Sequence, residues 1–115
     1  MTSKELNRML LHSVPEITPF FLEEVSWQDG EETGSHIVFS DILVPYISSL
    51  IVHTNTHVLK SIFDFIESLL CGKDSYADEV ITLSFLDTLS DNPVLLQNCK
   101  PFLGKKTQKA LNSLI

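Results

Sequence analysis

Two apolar stripes of helical period constrain this chain more than any other feature. Ile42, Leu43, Tyr46, Ile47, Leu50 and Ile51 recur at i, i+3 and i+4, and so do Val58, Leu59, Ile62, Phe63, Ile66, Leu69 and Leu70. Each stripe needs an apolar partner surface. Between them lies the stretch HTNTH, residues 53–57, rich in residues that cap helices and form turns. Two broad-faced helices joined by a tight corner pack antiparallel.

The rest of the chain follows the same period. Leu6, Met9 and Leu10 share a face over residues 3–12, opened by a Thr2-x-x-Glu5 capping box. Ser13-Val14-Pro15-Glu16 restarts a helix with Ser13 as cap. Pro19 fits there only if it lies in that first turn or begins a second short piece. Residues 28–35, QDGEETGS, form the clearest loop. Residues 36–39 fit either an extended strand or a helix start. The stripe that follows admits Pro45 if Asp41 is the N-cap, because the first helical N–H groups lack intrahelical partners; a kink at Pro45 is the alternative.

Gly72 suits the C′ position after Cys71, and Ser75-x-x-Asp78 reads as a capping box. The helix over 76–90 presents Tyr76, Val80, Leu83, Phe85, Leu86 and Leu89 inward. Asn92-Pro93 opens a short helix ended by Pro101, and a last helix covers about 105–114. The predicted fold is all-α: one domain over residues 1–115, a bundle of five to seven short helices or stacked antiparallel helical pairs. At 115 residues with 43% hydrophobic content the chain can build one core without staples.

At HIVFSDILVPYISSL and DEVITLSFLDTL the chain resembles a family of small, mostly uncharacterised bacterial helical proteins, over roughly residues 10–92. The residues that carry the likeness are Asp41, Pro45-Tyr46, Val80, Leu83, Ser84, Phe85 and Leu86; Ser40 stands where the pattern has glycine. The resemblance implies an all-helical fold and no established activity. Some small acidic bacterial proteins of this size are immunity proteins or antitoxins.

Charge narrows the partner class. All fifteen acidic residues lie at or before Asp91, so residues 1–91 carry −11 (four basic against fifteen acidic), and Lys100, Lys105, Lys106 and Lys109 give the remainder +4. Phosphate-backbone binding rests on clustered Lys and Arg, so no nucleic-acid partner is expected. The basic tail is expected to pack beside the acidic body or to balance a helix C-terminus. Ser40, Asp41, Pro45, Ser48 and Ser49 interrupt the one long apolar run, and no membrane span is expected. Two cysteines without a CxxC, and an N-terminus without a signal-peptide core, point to a cytoplasmic protein.

Motifs that carry chemistry are weak. His53 and His57 have metal-ligand spacing only if one helix runs through both. Thr54, Asn55 and Thr56 break it, so no metal is expected. The paired carboxylates Glu23-Glu24, Glu31-Glu32 and Asp78-Glu79 are adjacent residues that do not face each other on a helix. There is no G-x-S-x-G elbow and no glycine-rich phosphate loop. Cys71 and Cys99 read as small buried hydrophobes.

No catalytic residue and no cofactor is assigned. The expected function is a non-enzymatic protein–protein interaction module, of immunity- or antitoxin-like form. It would present Glu23, Glu24, Trp27, Glu31 and Glu32 to a basic protein, with Trp27 as anchor if exposed. The alternative is a structural or regulatory homodimer, in which a second copy covers whatever part of the two broad stripes one core cannot.

Overall fold

A computed structural model describes residues 1–25 and 29–114. Among these, seven helices and no strands build the chain. They are α1 (Ser3–Ser13), α2 (Thr18–Val25), α3 (Ser35–Val52), α4 (Thr56–Cys71), α5 (residues 75–90), α6 (Pro93–Cys99) and α7 (Lys105–Asn112). Short 3₁₀ turns at Pro15–Ile17, Gly30–Glu32 and Lys100–Phe102 link them.

The two stripes meet each other and the remaining helices. Ile42, Leu43, Ile47 and Leu50 of α3, and Val58, Leu59, Ile62, Phe63, Ile66 and Leu69 of α4, are buried in one continuous core. One core thus takes in most of both stripes, with Tyr46, Ile51 and Leu70 partly buried against it. Phe63 sits at its centre, 6.1 Å from Phe85 and stacked 6.3 Å from Phe102, which brings α5 and the Lys100–Phe102 turn onto α4.

Residues 36–39 are helical. α3 starts at Ser35 with Gly34 at the N-cap, so Asp41 is not a cap and Pro45 lies well inside the helix. It is accommodated because Val38–Leu43 is π-helical, ending just before the proline. Proline lacks an N–H and its ring clashes with the carbonyl four residues back; a widened turn relieves that clash without a break. The result is one unbroken helix. By length and composition alone it is long and apolar enough to cross a membrane, although the sequence reading took the run as interrupted. Its apolar face lies in the core.

α5 carries a second π-helical stretch, Ile81–Leu86, which packs against the first. The extra residue per turn rotates the register. Ala77, Val80, Ile81, Phe85, Leu86 and Leu89 are buried, whereas Leu83, predicted inside, is 60% exposed. In α1 the inner face is Leu6, Asn7 and Leu10, and Met9 points out.

The helix ends show which caps operate. Thr2 and Glu5 form the predicted reciprocal box, and Asn92 Oδ1 accepts from the Leu95 amide. Val14, not Ser13, precedes the Pro15–Ile17 turn, and Pro19 falls in the first turn of the separate helix α2. Asp74, not Ser75, caps α5, accepting from the Ala77 amide at 3.0 Å. Gly72 ends α4 in a right-handed conformation, and Lys73 takes the left-handed one at φ 58°.

Candidate functional site

The residues expected to meet a partner fall into two groups. Glu23 and Glu24 occupy the last turn of α2, with Glu23 exposed, Glu24 half-buried and Leu22 beside them 57% exposed. The other side of α2 is anchored: Phe21 and Val25 are buried, and Phe20 packs 5.5 Å from Tyr46 of α3. Burial, and then the nearby Glu16 charge, push the Tyr46 phenol above its ordinary value. Trp27 lies outside the described residues.

Glu31 and Glu32 sit in the Gly30–Glu32 turn, which α1 holds in place. Asn7 is fully buried and donates through Nδ2 to the Glu31 carbonyl (2.9 Å) and the Thr33 carbonyl (2.7 Å). Its Oδ1 accepts from Ser35 Oγ at 2.9 Å. The carboxylates turn back to the same helix: Arg8 Nε donates to Glu31 Oε2 at 2.6 Å, and Lys4 Nζ lies 3.9 Å from Glu32 Oε1. The hydrogen bond from Arg8, and then its charge, hold the Glu31 carboxyl below the usual range. These two acids are partly neutralised within the chain. The signal for this anchoring was an asparagine in an apolar face, and it is weak in sequence because Asn7 has the same spacing as a surface residue.

HTNTH is a corner. Thr54 adopts φ 51°, Asn55 caps α4 by accepting from the Val58 amide, and His53 and His57 are exposed on either side of the break. His53 Nδ1 is 2.8 Å from the Ser49 carbonyl, its own helix's last turn. Among the described residues no group of three or more His, Cys, Asp or Glu side chains is placed to hold a metal ion. Cys99 is buried, and desolvation pushes its thiol up to about 12, far from the thiolate a nucleophile needs. Cys71, predicted buried, is exposed because it ends α4 beyond the last core position, Leu69.

One polar cluster escaped sequence reasoning. His36 of α3 hydrogen-bonds through Nδ1 to Ser84 Oγ of α5, and its Nε2 lies 3.2 Å from Glu79 Oε2. Tyr76 packs edge-on to the imidazole at 5.9 Å and hydrogen-bonds Ser3 Oγ at 2.6 Å. Hydroxyl, imidazole and carboxylate stand in the order of a hydrolytic relay, but with the imidazole reversed: in the relay template Nε2 faces the hydroxyl. Ser84 lies inside a helix, where backbone N–H groups serve the helix's own hydrogen bonds rather than a developing oxyanion. What the cluster does is tie α1, α3 and α5 together beside the two π-helical stretches. The π register is what aims Ser84 at His36, and a straight α-helical reading of 76–90 cannot anticipate it.

The fold and these clusters are therefore those of a helical domain whose family likeness, read from residues 10–92, extends over nearly the whole chain. No curated protein and no solved structure matches it. A family model does, over residues 7–115, and the chain belongs to the family described as Domain of unknown function (DUF7674).

Proposed function

We propose that this chain is a non-enzymatic interaction module that receives a basic protein on the acidic side of α2, in the manner of an immunity or antitoxin protein. The observation that carries the reading is the placement of Glu23 and Glu24 in the carbonyl-end turn of α2, which holds no basic residue. The helix dipole makes that end negative, and the two carboxylates add to the same negative field.

Its surroundings support the same reading. Between Ser13 and Ser35 the chain has six acidic residues, Glu16, Glu23, Glu24, Asp29, Glu31 and Glu32, and no basic one. Exposed Leu22 supplies an apolar contact amid the charge, the mixture found where a desolvated centre is ringed by steering charge. Glu31 and Glu32, each paired to α1, form the rim and contribute less.

The test is affinity capture from the native cell by the wild-type chain, by Glu23→Lys/Glu24→Lys and by Glu31→Lys/Glu32→Lys. A basic protein retained by the wild type, released by salt and lost to the first variant more than to the second supports the reading. Equal retention by all three overturns it.

A further inference from the structure

A second feature lies away from α2. α5 and α7 face each other across a cleft of about 340 Å³ floored by Leu70 of α4. On the α7 wall stand Lys106, Lys109 and Ser113, at i, i+3 and i+7 on one helix face. On the α5 wall stand Asp78 and Thr82, one turn apart. One wall is cationic and the other anionic, yet they do not close on each other. Among the described residues neither lysine ammonium has a carboxylate within ion-pair distance. Asp78 Oδ1 is shielded from solvent and accepts no hydrogen bond.

Two structural duties that would account for these charges are filled by other residues. Asp74 caps α5 in place of the box that Asp78 was expected to complete. Glu67 supplies the anion at the start of α7, accepting from the Lys106 and Thr107 amides. Asp78 lines the cleft across from two ammonium groups and the Ser113 hydroxyl. With the Glu67 charge included, the local balance of Lys106, Lys109, Asp78 and Glu67 is neutral.

We propose that this cleft binds a small zwitterion, with its ammonium toward Asp78 and Thr82 and its anionic group toward Lys106, Lys109 and Ser113. A neutral site with separated charges favours a ligand that carries both, because either charge alone leaves one wall unmatched. The anionic group is a carboxylate or a phosphate monoester, and the apolar floor at Leu70 accepts a short alkyl linker. The cleft is at the small end of ligand sites, which span about 300–1,000 Å³.

The experiment is a titration of the full-length chain followed by backbone amide NMR, with 4-aminobutyrate and O-phosphoethanolamine as probes and butyrate, butylamine and ethyl phosphate as their single-charge counterparts. The expected result is saturable shifts at Thr82 and across 106–113 with at least one zwitterion, and binding at least about tenfold weaker for its single-charge counterparts. Which zwitterion binds identifies the anionic group. Asp78→Asn and Lys109→Gln, each checked for retained helicity, should each weaken it about tenfold. No saturable shifts with either zwitterion, or equal binding of butyrate or ethyl phosphate with Asp78→Asn unchanged, overturns the proposal.

Discussion

Glu67 of α4 caps a helix that starts nearly forty residues later: its Oε1 accepts from the Thr107 amide at 2.9 Å and from Thr107 Oγ1 at 2.8 Å, and its Oε2 from the Lys106 amide at 3.0 Å. α7 needs this because its N-cap, Gly104, has no side chain, and because Lys105 and Lys106 place positive charge at the already positive helix end. This carboxylate ties the basic tail to the acidic body, beside the buried Leu111. Glu67→Ala should destabilise the fold by about 1–2 kcal/mol, the range for loss of a cap, measured by urea denaturation.

The same carboxylate sets an acid sensitivity. Burial raises the Glu67 carboxyl, but the hydrogen bonds from Lys106 and Thr107, with the Lys106 charge, outweigh it and leave the group below its ordinary value of 4.5. A carboxyl depressed in the folded state stabilises the fold above its unfolded pKa, and that contribution disappears as pH falls through the folded pKa. Wild type and Glu67→Ala should therefore differ most at neutral pH and converge below about pH 4.5. A gap that stays constant into acid contradicts the assignment.

Gly104 is required for the same contact. A Cβ there would stand 2.4 Å from the Glu67 carboxyl group. That carboxyl is the end of a flexible chain, but three hydrogen bonds fix it, so moving it releases the cap. Gly104→Ala should cost about as much as Glu67→Ala, about 1–2 kcal/mol. The double variant should cost little more than either single change, a non-additivity read from the denaturation midpoints.

The π-helical register of α5 gives opposite outcomes at two apolar positions of one helix. Phe85→Ala removes a fully buried ring and should cost about 3–5 kcal/mol. Leu83→Ala, at an exposed position, should stay within about 0.5 kcal/mol of wild type. Similar losses at both sites would mean that α5 follows the straight α-helical period instead.

Among the described residues, two non-glycine residues stand in the left-handed region, Thr54 at φ 51° and Lys73 at φ 58°. For a β-branched residue this conformation costs about 1–2 kcal/mol. Thr54→Gly should raise the thermal midpoint, with a gain of up to about 1 kcal/mol after the added unfolded-state entropy of glycine is counted. Lys73→Gly should gain less, since lysine is unbranched at Cβ.

The helical class, the two stripes and the corner at 53–57 were legible because each rests on a repeated spacing or a local cap. Asn55 and Asn92 hold caps that their own neighbours announce. What escaped were relationships set by distant parts of the chain. Asn7 and Glu67 look like surface residues locally, and only the packed fold brings them to Thr33 and Thr107. The π-helical turns also escaped, because a single inserted residue leaves the apolar content unchanged while rotating Leu83 out and Ser84 toward His36. Of the expected acidic surface, Glu23 is exposed and Glu24 half-buried, while Glu31 and Glu32 pair with Arg8 and Lys4 of α1.

The proposed recruitment of a basic partner by charge at the end of α2 is tested at the encounter step. Its most direct measurement is the association rate with the captured partner as a function of ionic strength, for wild type and Glu23→Lys/Glu24→Lys. The wild-type rate should fall steeply with salt, and the variant rate should be at least about tenfold lower at low salt with a flat or inverted salt dependence. Equal rates with parallel salt slopes would contradict it.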